Sequence, residues 1–559
     1  MLPISPHRVL VAFIWLMVFV IITVFWATVF YYAYNFPYYD DFQSIVLFLT
    51  NYIKSENAWD KLGLFFEQNF EHRVVLAKLL TLLVFLVTGQ LNIKLLIILG
   101  DLSLLGMLLL MYCFLIKQQL SLPAFFAIVC LLFQVQHYED TISWATCSLQ
   151  HAPCLFLSMW SFYLALNGRK IFWSSILAIV ALLTSANGLF TVFIILILTG
   201  FSTVPRIVKV TQAAVLLMIT GLHLLTIKIH SGSIIDHVFD NIGVKSMLLL
   251  SFVGQLADTN FTNSLVPSIV LGAVFLFPVV ITLAKIITGT ASQLTQVQWF
   301  SVIGIASLLF VGFLIVFARG SMPDFYGYRL DRYKIYSAFF GIFSVTFYDS
   351  CVKNCKAVSV SKWFVAAGAF IFCVGSYYFY FEKITNFNRE ISANELNYQW
   401  SKTVYYPVIY EDPGLRDNMD FAQSSFMQSQ NTRLAKLISN IDWREGAGEI
   451  KVDFQEMPDC FVIKKIRQEP EIRLGDELYI VATNAANHQP RYFCLASNNY
   501  LPSVRFFYSN FKRSVSSEFA ATIYKKKLAP GKYVLHLLSI EDGHSVTHHT
   551  ITNVSFERD

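Results

Sequence analysis

Long apolar runs separated by short polar loops recur from residue 9 to residue 381, and there the pattern stops. The runs cover about residues 9–32, 74–89, 93–116, 121–137, 144–166, 171–186, 189–203, 210–228, 263–286, 297–317, 334–350 and 363–381. Most approach the roughly 20 apolar residues that a helix needs to cross a hydrocarbon core. Helices satisfy their own backbone, so the pattern predicts a polytopic α-helical membrane domain over residues 1–381. Residues 382–448 read as a helical and loop linker region, with helices over Glu390–Lys402 and Asp417–Ile441. From 449 to 559 the period shortens. Runs such as Glu477–Ala482, Arg491–Leu495 and Lys532–Leu537, divided by turns such as Ala529–Lys532, predict a β-rich domain with a sandwich-like end.

Charge fixes the topology. If all twelve runs cross, Arg169-Lys170, Arg206, Lys209, Lys353, Lys356 and Lys362 fall outside, against the positive-inside tendency. The run 74–89 is the weakest. It is short, carries Lys78 and follows Glu71-His72-Arg73. Laid along the outer surface as an interfacial helix, it reverses every later span and brings the basic clusters inside. About eleven transmembrane helices result, with a cytoplasmic N-terminus and an extracytoplasmic C-terminal domain. The short apolar stretch Val244–Leu256 predicts a second outer interfacial helix.

Composition agrees. The chain of 559 residues is 55% hydrophobic and 14% charged, with a mean hydropathy of +0.53, whereas ordinary soluble domains carry about 25% charged residues. A net charge of +5 over this length does not suggest nucleic acid. Nine cysteines are scattered without a CxxC pair. Cys460 and Cys494, both in the outer tail, are either a disulfide or two free thiols.

The reversed topology gathers the unusual polar groups on the outer side. Asp40-Asp41 follow the first span, and an adjacent acidic pair suits a base with an orienting partner as readily as a solvated turn. Arg73 and His72, after Glu71, suit a phosphate or a lipid headgroup. Glu139-Asp140, with Trp144 close behind, form a second acidic pair between two spans. Ser185-Ala186-Asn187-Gly188 is a small outer turn, which turn chemistry alone explains. Arg319, Arg329 and Arg332-Tyr333 place cations on the unfavoured side, where a bound phosphate gives them a reason and Asp324 and Asp331 another.

In this order the motifs resemble the GT-C fold of integral-membrane glycosyltransferases. Such proteins carry an acidic pair in the loop after the first span, an interfacial helix, a second acidic motif and a small turn ending in Gly. The finer series resembles a bacterial subset: Asp40-Asp41, Glu71-His72-Arg73, Tyr138-Glu139-Asp140 before Trp144, Ala186-Asn187-Gly188 and Arg332-Tyr333. Many members have Lys where Asn187 stands. The resemblance covers residues 40–333 and not the tail. It implies transfer of a sugar, with inversion, from a polyprenyl-phosphate donor to an acceptor hydroxyl on a glycan, lipid or protein. The place implied is the outer face of a bacterial inner membrane, in surface-glycan or lipopolysaccharide modification. Asp40 is then the base and Asp41 its support. Glu139, Asp140, Glu71 and His72 orient acceptor or donor, with Asn187 and Gly188 near the donor. Arg73, Arg319, Arg332 and Tyr333 hold the lipid phosphate. Some members use a divalent cation, Mg or Mn, and others none. A transporter or flippase of lipid-linked saccharides, or a surface polysaccharide polymerase, are the competing expectations.

Overall fold

A computed structural model describes residues 6–69, 72–167, 170–227, 241–258, 264–319, 330–351, 356–402, 413–427, 433–444, 448–465, 477–498, 519–541 and 545–558. The chain divides into two compact units. One comprises residues 1–33 and 43–384, the other 34–42 and 385–559. The loop that carries Asp40 and Asp41 therefore groups with the C-terminal residues, whereas the hydrophobic pattern assigns it to the membrane domain.

The first unit is helical. Among the described residues, six helices are long and apolar enough to cross a membrane: Arg8–Tyr32, Ile93–Ile116, Arg206–Leu225, Val266–Ile287, Gln296–Phe317 and Val360–Ser401. Their outward faces remain apolar. Phe19, Leu217 and Val280 are all more than half exposed, as suits contact with hydrocarbon and not with water. Shorter apolar helices include Val75–Thr88, Leu122–Leu132, Ile171–Thr184, Gly188–Phe201 and Ile242–Val253. The run 121–137 yields a helix of only 11 residues, because the chain leaves it at Phe133 for a turn. The run 363–381 and the stretch 390–402 belong to one uninterrupted helix, Lys356–Ser401.

Buried ions pin these helices together. Lys78, in the helix Val75–Thr88, donates to the carbonyls of Leu64 and Glu67, both at 2.8 Å. Those carbonyls end the helix Ala58–Phe66, where the backbone dipole favours a cation. A lysine that reads as a surface residue is thus a helix terminator. Asp349 plays the complementary part. It accepts from the N–H and hydroxyl of Ser121 at 2.7 and 2.6 Å and pairs with Lys362 at 2.7 Å. It caps the helix Leu122–Leu132 from a distant position in the chain.

The second unit contains two sheets. We number its strands β1 (Glu449–Ile450), β2 (Asp453–Glu456), β3 (Cys460–Lys465), β4 (Glu477–Asn484), β5 (Pro490–Leu495), β6 (Ser497–Asn498), β7 (Phe519–Tyr524), β8 (Gly531–Glu541) and β9 (Ser545–Arg558). One sheet runs β1-β9-β8-β4-β5 and the other β2-β3-β7-β6. Alternate residues of both sheets, among them Phe461, Ile463, Ile480, Ile523 and Leu535, share one buried core, as in a sandwich. Cys460 and Cys494 are both free thiols. A second core lies on the opposite face of the five-stranded sheet. There Ala393 and Leu396 of the long helix, with Leu434 and Trp443, cover Tyr479, Val481 and Phe493.

β5 is an edge strand, paired with β4 alone among the described strands. Its open side is closed by Asn397, whose amide donates to the Phe493 carbonyl at 2.8 Å and accepts from the Phe493 N–H at 2.6 Å. Replacing Asn397 with Ala strands both backbone groups in a buried place. The expected cost is about 2 kcal/mol or more, seen as a lower unfolding midpoint of the C-terminal unit and faster amide exchange at Phe493.

Candidate functional site

The helical unit brings Glu139 and Asp140 to a π-helical turn, Glu139–Ser143, just before the helix Ala145–Leu166. Such turns widen the backbone by one residue and recur at functional sites. The approach to it is held by two contacts from the long helix. Ser376 accepts from the Val135 N–H at 3.2 Å, and Tyr377 donates to the Phe133 carbonyl at 3.1 Å.

The two acids meet different partners. Asp140 is fully buried, and its Oδ1 lies 2.7 Å from Nδ1 of His151. Its Oδ2 has no hydrogen-bond partner among the described residues. Glu139 accepts the backbone N–H of Arg332 at 3.0 Å. The Arg332 guanidinium lies 5.1 Å from the ring centres of both Trp144 and Tyr333. That is cation–π range. Beyond His151 the cluster continues through Tyr336, 5.5 Å away between ring centres. The Tyr336 hydroxyl accepts from the Asn187 amide at 2.7 Å. The second acidic pair, the Asn187 turn and Arg332-Tyr333 thus form one connected cluster.

Burial dominates its electrostatics. Desolvation, helped by the Asp331 carboxylate, pushes Glu139 up to about 7 against the pull of Arg332. Desolvation also raises Asp140 well above the usual carboxylate range, with Arg332 opposing. Asp331 goes the other way. Lys334 at 2.9 Å and Lys383 at 2.8 Å outweigh its burial and hold it ionised. The turn after Leu330 is anchored by that ion pair, and the anchored turn presents the Arg332 N–H to Glu139. Acids that keep protons near neutral pH, beside a fixed cation, can move a proton and neutralise an anion.

The other predicted residues are placed differently. Asp40 and Asp41 belong to the other unit. Asp41 is fully buried and accepts from the Tyr38 N–H at 3.1 Å, closing a turn in which Tyr39 adopts φ 49°. Its carboxylate has a structural task, and Asp40 is half-buried beside it. Asn69 and His72 exchange backbone hydrogen bonds at 2.8 and 2.9 Å. Arg73 donates to the Thr226 carbonyl at 2.8 Å, at the C-terminal cap of the helix Arg206–Leu225. That contact answers to the helix dipole without a phosphate. Gly188 packs so closely on Ile171–Thr184 that a Cβ would come within 2.2 Å of the Ala181 backbone. Its lack of a side chain is needed for helix packing. Glu71 and the side chain of Arg319 lie outside the described residues, as do Asp324 and Arg329.

His151, Cys147 and Tyr336 were not singled out in the sequence. Cys147 and His151 stand four residues apart on one helix face, inside a stretch that reads as a plain span. The available sign was an imidazole within an apolar segment, which is unusual enough to suggest a role. Asp101, buried in the helix Ile93–Ile116 and 3.3 Å from the Ser148 hydroxyl, carried the same sign.

Ligand atoms of Asp140, Cys147 and His151 lie within 4.8 Å of one another, close enough to share a metal ion. One carboxylate, one thiol and one imidazole suit a borderline-soft ion such as zinc. They do not suit magnesium or manganese, which favour oxygen donors. The magnesium or manganese that some members of the resembled family use would find a poor donor set in these three residues.

Two outcomes follow for this cluster. Glu139 holds its proton more tightly folded than its ordinary value allows unfolded, so its contribution to stability is greatest at low pH and declines as pH rises through about 7. Between about pH 4.5, the ordinary glutamate value, and about pH 7 the unfolding midpoint of the wild type should fall, and Glu139→Gln should flatten that fall. Gly188→Ala should destabilise the helical unit by about 1–3 kcal/mol through overpacking, read as a lower midpoint in lipid nanodiscs.

No protein-family model, curated protein or solved structure matches this chain.

Proposed function

We propose that the protein is a membrane glycosyltransferase that moves a sugar from a polyprenyl-phosphate donor to an acceptor hydroxyl. The observation that carries this reading is the buried cluster of Glu139, Asp140, His151 and Arg332 within a helical unit that has membrane-length helices. Transfer from such a donor breaks the bond between the anomeric carbon and the phosphate oxygen, and it forms a bond to the acceptor oxygen. The acceptor loses a proton, and the departing phosphate gains a negative charge. Arg332, fixed by two rings and by its backbone bond to Glu139, is suited to neutralise that charge. The Asp140–His151 pair is suited to take or relay the proton. Asp40 is the base that the family resemblance favours, with Asp41 holding its turn.

The reading includes about eleven spans in a GT-C-like arrangement, with surface-lying helices at Val75–Thr88 and Ile242–Val253. It places the N-terminus in the cytoplasm of a bacterial cell, and the C-terminal unit outside the inner membrane. Surface glycan or lipopolysaccharide is the acceptor class.

A second reading, transport of a lipid-linked saccharide, is favoured by Asp101. An ionisable group buried in a membrane-length helix is a common mark of a translocation path.

The test is purified protein incubated with polyprenyl-phosphate sugars and candidate acceptors, scored for released polyprenyl phosphate. Asp140→Asn and Arg332→Lys should each lower turnover by about a hundredfold or more, the size of a lost transition-state charge partner. Full turnover in Asp40→Asn removes Asp40 as the base. Movement of intact donor across proteoliposomes without phosphate release, lost in Asp101→Asn, selects the transporter instead.

A further inference from the structure

The C-terminal unit contains a cavity of about 310 Å³ that none of the assignments above uses. It opens beside the C-terminal half of the helix Lys356–Ser401, where β5 of one sheet runs next to β7 of the other. Asn386, Glu390 and Asn394 line one wall. Their spacing of four residues puts them on a single helix face. Phe493, Cys494 and Thr522 line the other wall, where the Cys494 thiol donates to the Thr522 carbonyl at 3.2 Å. On β7 the even-numbered Ala520 and Thr522 are half-exposed, whereas Phe519, Ala521 and Ile523 fill the sandwich core. The cavity therefore lies at the margin of that core, where Cys494 and Ala521 reach it.

One atom makes the cavity more than a packing gap. Oε1 of Glu390 is buried and has no hydrogen-bond partner among the described residues. A buried carboxylate oxygen without a partner is costly, and a ligand that donates hydrogen bonds removes the cost. Several ligand classes fail. An apolar molecule would leave the Glu390 oxygen unsatisfied. An anion would meet Glu390 and no basic residue in the lining. A calcium ion needs six to eight oxygen ligands, as a rule from several carboxylates, and a single acid lines this space. The volume is at the lower end for small-molecule sites, about 300 Å³.

We propose that this cavity binds a neutral, hydroxyl-rich ligand the size of a monosaccharide. Ligand hydroxyls donate to Glu390 and exchange hydrogen bonds with the amide of Asn386. The edge of Phe493 supplies an apolar wall for ring C–H groups. The proposal does not depend on sugar transfer by the helical unit, since it concerns binding by other residues in the other unit.

The test uses the full chain in lipid nanodiscs, free of glycoside detergents that would compete. D-glucose, D-galactose, D-mannose and N-acetylglucosamine are titrated separately, with saturation-transfer NMR and calorimetry as readouts. At least one should bind saturably. Glu390→Gln removes the charged acceptor, and Ala520→Leu fills the space from a half-exposed position. Each should weaken binding roughly tenfold or more while the melting profile of the unit is kept. Should Glu390→Gln fail to fold, Ala520→Leu decides. Absence of saturable binding by all four sugars, or wild-type affinity in both variants, overturns the proposal. A phosphate-release assay on the same samples reports on the transferase reading separately.

Discussion

Burying ionised groups away from water is the constraint on which this molecule turns. At several places the helical unit takes in a charge and supplies a fixed counterpart. Lys78 meets two helix-terminal carbonyls, Asp349 meets Ser121 and Lys362, and Asp331 lies between Lys334 and Lys383. These pairs join elements far apart in the chain and leave little freedom in how the helices pack. Breaking one partner would leave an uncompensated buried charge, a loss of several kcal/mol, typically about 3–5.

The candidate site departs from that rule. Half-buried Glu139 adjoins fully buried Asp140, and Arg332 is shared between them without fully offsetting their desolvation. Asp140 Oδ2 and Arg332 Nε both lack hydrogen-bond partners among the described residues. An unpaired acid oxygen and an unpaired guanidinium nitrogen gathered at one point are the physical basis for proposing chemistry there. Glu390 in the other unit is the same kind of exception, with an unpartnered oxygen beside a cavity.

The two acidic motifs show how context divides similar residues. Both pairs adjoin π-helical segments, Phe42–Leu47 and Glu139–Ser143. Asp41 spends its carboxylate on a local turn held by Tyr38, and Asp140 spends one oxygen on His151 and leaves the other open. Adjacent acids in a sequence do not reveal this difference, because it depends on which backbone N–H or imidazole arrives from elsewhere.

By itself the sequence determined the class of the protein. Apolar runs must become helices in a membrane, and alternating runs after residue 449 must become strands, since backbone groups and apolar faces have few other solutions. It also marked Glu139, Asp140, Asn187 and Arg332, which the fold joins into one cluster. Only the tertiary structure decided that Lys78 ends a helix, that Gly188 is a packing contact and that the Asp40 loop groups with the C-terminal residues. His151 and Glu390 likewise became notable only in three dimensions. Periodicity is local and is written in neighbouring residues, but burial and pairing depend on residues hundreds of positions away. The chemistry of a carboxylate is set by those distant partners.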